Sequence, residues 1–100
     1  MRYAVLIEVD VAEVDGEQGL QVLRERIVPA ISSMPEFDSG IWLTGGESGV
    51  GVSLTVWNTE AAAQAMAERF GVGSSPQANS SVRRCEIREV AATAGVGSAG

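Results

Sequence analysis

Few side chains in this chain are equipped for chemistry, and their types narrow that chemistry at once. Glu8 and Asp10 stand two positions apart, so in a strand they share a face. Arg84 and Arg88 can meet them there from a neighbouring strand. A carboxylate shielded from water in such a setting is a general-base candidate with a raised pKa. Cross-strand ion pairing accounts for the same four residues without catalysis. Trp42 and Trp57 offer a stacking platform for an aromatic ligand, or apolar packing for an interface between subunits. Tyr3 offers a hydroxyl donor to a ligand, or simply fills the first position of a strand. Cys85 has no basic side chain beside it except Arg83 and Arg84, and it reads as a core residue.

What is missing excludes more. All seven basic residues are arginine, and neither lysine nor histidine occurs. Schiff-base chemistry, a pyridoxal phosphate anchor and a phosphate-loop lysine are therefore excluded. So are serine–histidine and cysteine–histidine nucleophile pairs, a histidine haem ligand and an ordinary catalytic zinc site. No cofactor and no metal are expected, and no catalytic residue is assigned. Thirteen acidic residues against seven basic ones give a net charge of -6. A chain of that sign repels phosphate backbones, so nucleic acid is not an expected partner. The longest uncharged stretches, 48–59 and 71–82, fall well short of the ~20 residues of a membrane span. Glu8 and Asp10 interrupt the place of a secretory leader's apolar stretch, and a single cysteine forms no internal disulfide. A cytoplasmic location is the expectation.

The elements that must position these residues are legible in the periodicity. Residues 3–11 alternate and predict a strand with Tyr3, Val5, Ile7 and Val9 on one face. Asp15 followed by Gln18 has the spacing of a capping box. Leu20, Leu23, Ile27, Ile31 and Met34 then form the stripe of an amphipathic helix. Pro29 is expected to kink that helix or end its regular part, and Phe37 to plug the core at the following turn. Residues 40–44 and 50–57 predict a hairpin around a glycine-rich loop. Thr59 starts a second helix reaching about residue 70, with Ala62, Ala63, Met66 and Phe70 inward. Asn58 beside it has a residue type common at helix starts. A loop over 72–81 and a last strand over 82–91 complete the series.

One hundred residues allow one domain, assigned to 1–91, with a glycine- and alanine-rich tail over 92–100. Residues 95–100 match a GxGxxG pattern by letter, but no helix follows to bind a pyrophosphate. The element order is that of an α+β, ferredoxin-like βαββαβ fold, a four-stranded antiparallel sheet with two helices on one face. Ile41, Leu43, Val52, Leu54 and Val56 are expected under the helices with the apolar face of the first strand, Cys85 and Ile87. Trp42, Ser53, Thr55 and Trp57 are expected on the open face with Leu6, Glu8, Asp10, Arg84, Glu86 and Arg88. Two tryptophans on an uncovered face predict self-association into a homodimer through the sheet.

The chain resembles the dimeric α+β barrel superfamily, and within it the small antibiotic-biosynthesis-monooxygenase-like proteins. The resemblance covers about residues 1–91. It is carried by the first strand Tyr3-Ala4-Val5-Leu6-Ile7-Glu8-Val9 and by the helix-to-hairpin passage from Val28-Pro29 through Met34-Pro35-Glu36-Phe37 to Gly40. Trp57-Asn58-Thr59-Glu60 continues it. The family often has glycine where this chain has Glu36. The resemblance implies a homodimer with its two sheets facing, and a pocket for an aromatic or apolar small molecule. It further implies cofactor-independent oxygenase chemistry, in which the substrate itself supplies the electron. The haem-degrading branch uses an axial histidine and is excluded here. Tryptophan and asparagine recur among the pocket residues of the oxygenase branch, so Tyr3, Trp42, Trp57 and Asn58 are the candidate binding residues. A non-catalytic ligand-binding or structural dimer is the alternative.

Overall fold

A computed structural model of the chain describes residues 1–95. The strongly β-prone start of the sequence becomes the inner strand β1 (Tyr3–Asp10), flanked on one side by β3 (Val50–Trp57) and on the other by β4 (Ser81–Glu89). β2 (Phe37–Leu43) is the edge beside β3, so the order is β2-β3-β1-β4 and every pairing is antiparallel. The class is α+β, with helical segments over 16–32 and a second helix, α3 (Glu60–Arg69), packed on one side of the sheet. β2 begins three residues earlier than the alternation suggested, because Phe37 already pairs with Trp57.

The first helical stretch shows how the chain accommodates its proline. Asp15 Oδ1 accepts the Gln18 N–H at 2.9 Å and starts α1 (Gly16–Val22) as the cap spacing required. A π-helical turn over Leu23–Ile27 follows, in which the Val28 N–H donates to the Leu23 carbonyl five residues back. α2 (Val28–Ser32) then carries Pro29 in its first turn. Pro29 was expected to kink or end the helix. The regular α-helix does give way to the π turn just before it, and the wider turn makes room for its ring. Ile31 is driven into the core on the far side of this adjustment.

The core lies between the sheet and the helices, built on Val5, Ile7, Ile31, Trp57, Ala63 and Met66. Phe37 closes it at the turn as expected, meeting Trp57 edge to face with ring centroids 5.4 Å apart. The Trp57 Nε1–H donates to Thr55 Oγ1 at 2.9 Å, so two buried polar groups satisfy one another.

That arrangement corrects the expected faces of the β2–β3 hairpin. Cross-strand partners share a face, and Tyr3 pairs with Trp57, Val5 with Thr55 and Ile7 with Ser53. Trp42, opposite Ser53, follows them to the helix side. Trp57 is wholly buried and Trp42 packs against the core. The open face therefore holds Ile41, Leu43, Val52, Leu54 and Val56, not the tryptophans. Ile41, Leu43 and Leu54 are 60%, 57% and 41% exposed. The aliphatic set lies outside because the Trp57 ring and the Thr55 that accepts its N–H fill the core on the helix side. On β4, Cys85 and Ile87 face the helices as expected. Val82 joins them because the register shifts between Glu8 and Val9, leaving Arg83 over as the extra residue of a bulge.

Val90 N–H donates to the Arg2 carbonyl and Arg2 reaches Thr93 Oγ1, which carries the chain past β4 along the start of β1. Of the tail assigned to 92–100 and the glycine pattern over 95–100, residues 96–100 lie outside the described residues. Among the described residues no helix is long and apolar enough to cross a membrane.

Candidate functional site

A cleft of about 670 Å³ opens between the helix-facing side of the sheet and the helical layer, at the end of β1 away from Tyr3. Ile7, Val9, Trp42 and Ser53 form its floor. Leu20, Leu23, Ile27 and Ile31, the predicted apolar stripe, form one wall. Met66 and Phe70 close the side below α3, and Pro76 and Gln77 stand at the rim. Glu47, on the hairpin loop, is the one charged residue among those that line it. The interior is thus aliphatic and aromatic with a few hydroxyls and one amide, the composition of a site for a neutral, largely apolar molecule.

Three glycines set its shape. A Cβ on Gly40 would stand 2.6 Å from Trp42 Cη2, so the indole is folded back over the bare backbone at Gly40. A Cβ on Gly19 would stand 2.5 Å from Val14 Cγ1, and the buried Gly19 lets the 11–15 loop close on α1. Gly49 takes a φ of 70°, and its carbonyl accepts the Val11 N–H at 2.8 Å, tying the hairpin loop to the end of β1. Across the rim, Gln77 Nε2 donates to the Gly19 carbonyl at 3.4 Å. Ser80 Oγ holds the same loop, donating to the Gln77 carbonyl at 2.6 Å and accepting the Gln77 N–H at 3.1 Å.

Of the four candidate binding residues, only Trp42 lines this cleft. Tyr3 is half-buried at the opposite end of the sheet, paired with Trp57 and Glu89. Trp57 is buried beneath the helices with its N–H engaged by Thr55. Asn58 is exposed, and its backbone N–H donates to the Glu36 carbonyl at 2.9 Å. The cap of α3 is Thr59, whose Oγ1 accepts the Ala62 N–H at 3.1 Å. The four residues do not converge.

The acid–base candidates lie on the other side of the sheet. Arg84 Nη1 donates to Glu8 Oε2 at 2.9 Å and Arg84 Nη2 to Glu86 Oε1 at 2.8 Å. Arg88 Nη2 donates to Glu86 Oε2 at 3.1 Å. The Arg84 hydrogen bond holds the Glu86 carboxyl below its usual range, and the same bond raises Arg84. Glu8 with Arg84 is a cross-strand ion pair, as one of the two sequence readings had it, while the two Glu86 pairs run along β4. Asp10 is exposed and its Oδ1 accepts the Ala12 N–H at 3.1 Å, holding the turn after β1. Burial pushes the Cys85 thiol up, away from the thiolate a nucleophile needs. Among the described residues no three histidine, cysteine, aspartate or glutamate side chains gather as a metal site.

Sequence reasoning missed Ser53 and Gln77. Ser53 is only 8% exposed on a strand whose other faces read as the core, so nothing in its spacing marked it. Gln77 sits in a loop without periodicity. No protein-family model matches the chain and no curated protein does.

Proposed function

We propose that this protein binds a neutral, largely apolar small molecule in the cleft and acts as a homodimer of the dimeric α+β barrel type, joined through the open faces of its sheets. The observation that carries the binding reading is the cleft itself, about 670 Å³ lined by aliphatic residues and Trp42 with a single charged residue at its mouth. A ferredoxin-like reading of the fold is supported by the strand order β2-β3-β1-β4 with a helical connection on each side of the hairpin. The dimer reading is supported by the exposed Ile41, Leu43 and Leu54 on the open face. The lone thiol and acidic surface suit a reducing cytoplasm.

Nile red, which is neutral and apolar, tests the site. Its fluorescence should rise with the native protein and stay flat with Leu23→Trp, a variant that fills the cleft. Equal enhancement by both proteins, at matched melting midpoints, would place the dye elsewhere and end this reading.

A second reading is cofactor-independent oxygenation, favoured by a largely apolar cleft with room for an aromatic substrate beside Trp42. In that chemistry a ring methylene of a polycyclic phenol becomes a carbonyl, and the second atom of O2 leaves as water. Oxygen uptake in the presence of such a phenol, absent in the filled variant, separates a catalyst from a carrier.

A further inference from the structure

Four of the seven arginines, Arg2, Arg83, Arg84 and Arg88, stand 2.8 to 3.8 Å from a carboxylate. Arg24, Arg26 and Arg69 have no carboxylate partner among the described residues, although the chain holds thirteen acidic side chains. Two of these three, Arg26 and Arg69, line one groove of about 490 Å³. It lies between the first helical stretch, the end of α3 and the loop over 76–79. Gly19, Ile27, Phe70 and Gln77 line both this groove and the apolar cleft, so they form the wall between the two. Each arginine directly precedes a residue of that wall, Arg26 before Ile27 in the π turn and Arg69 before Phe70 at the end of α3. Arg69 Cζ stands 5.5 Å from the Phe70 ring centroid, which seats the guanidinium over the ring and leaves its N–H edge for another partner.

We propose that this groove is a second binding site, separate from the cleft, and that it takes an aliphatic monocarboxylate held at its head by Arg26 and Arg69. The forked N–H groups of a guanidinium match the two oxygens of a carboxylate. A single negative charge follows from the lining. Asp15 is the one acidic residue among the described residues that line the groove, and its Oδ1 already accepts the Gln18 N–H. Two guanidiniums against one carboxylate leave one positive charge in excess, on a chain whose net charge is -6. A monoanion cancels that excess, whereas a dianion sets a surplus negative charge beside Asp15. The body of the ligand is aliphatic because Val22, Ala30 and Pro76 give it apolar walls, and Phe70, the one ring, has a face under Arg69. The cleft has no arginine in its lining, so the two sites differ in the charge they accept.

Calorimetric titration with octanoate, and with octyl phosphate at about pH 8 where it is a dianion, tests this. Octanoate should bind the native protein, and more tightly than octyl phosphate. Its affinity should fall several-fold as salt rises from about 0.01 M to about 1 M. Arg26→Gln and Arg69→Gln should each weaken octanoate about fivefold, the size expected of an exposed ion pair. Arg24→Gln removes the same charge outside the groove and should leave the affinity unchanged. Octanoate should also leave Nile red bound in the cleft. The site is overturned if octanoate does not bind, or if it displaces Nile red. It is overturned equally if Arg24→Gln costs as much as the other two, which would make the attraction a property of the whole surface. Octyl phosphate binding as tightly as octanoate would overturn the choice of a monoanion. Should Nile red find no site at all, the cleft reading fails and the three arginine variants still decide the groove.

Discussion

At the scale of single residues, Glu36 shows a turn kept at a cost. It takes a φ of 66°, in the left-handed region that favours glycine, at the position where the resembling family often has glycine. Its carbonyl receives the Asn58 N–H, so the strained turn locks the start of β2 to the end of β3. Its side chain is exposed. Glu36→Gly is expected to stabilise the fold by about 1 kcal/mol, net of glycine's greater freedom when unfolded. A urea midpoint for the variant at or below the native value would contradict this. The turn itself was legible from Pro35 and Phe37. That a glutamate rather than a glycine would be forced into it was not, because a backbone angle leaves no trace in an exposed side chain.

At the scale of elements, the caps and the strands were readable, and the faces of one hairpin were not. Asp15 and Thr59 announce their helices through a local chemistry that depends on three neighbouring residues alone. The orientation of β3 depends on its partners. Its alternate positions read Val, Val, Leu, Val against Gly, Ser, Thr, Trp, and either set can face a core if the other can face something else. Pairing with β1 decides the matter, and a strand does not carry its partner's register in its own sequence. The site suffered from the same ambiguity, since Ser53 and Trp42 changed sides together. The ladder of ion pairs that runs along β4 and reaches Glu8 on β1 is also an element-scale feature, and it makes stability depend on acid. Glu86 titrates lower in the folded chain than when unfolded. Its contribution is therefore fully present above the ordinary glutamate pKa of about 4.3 and is lost as pH falls through the lowered folded value. Urea midpoints measured from pH 6 down to pH 3 should fall more steeply for the native protein than for Glu86→Gln. Because these groups are solvent-exposed the difference should be small, and it should shrink further in high salt. Parallel curves at low salt would show that the ladder is decorative.

At the scale of the whole molecule, the proposed dimer keeps the open sheet face the sequence suggested, with aliphatic residues on it in place of the tryptophans. The open sheet face is aliphatic at Ile41, Leu43 and Leu54, and the charged ladder of Glu8, Arg84, Glu86 and Arg88 runs along its other half. An apolar half and a ladder of both signs suit pairing with a second copy, where each charge has a partner of either sign within reach. Light scattering at micromolar concentration should give twice the 10.4 kDa mass of the chain. Leu54→Asp should weaken association by at least about a hundredfold, since an unpaired carboxylate would be buried in the interface. A native mass of 10.4 kDa would remove the dimer and leave the cleft untouched.

The alternation along β2 and β3 has a consequence for how such a protein can change over generations. Ile41 and Leu54 look outward while Trp42 and Ser53, their immediate neighbours, look into the cleft. A point substitution in either strand touches one surface and spares the other, so ligand preference and partner preference can drift separately. Gaining or losing one codon within β3 does the opposite. Every side chain beyond it changes sides, and the floor of the cleft and the outer face are exchanged in a single event. Lineages descended from this chain are thus free to vary the letters of the hairpin strands and are held to their length.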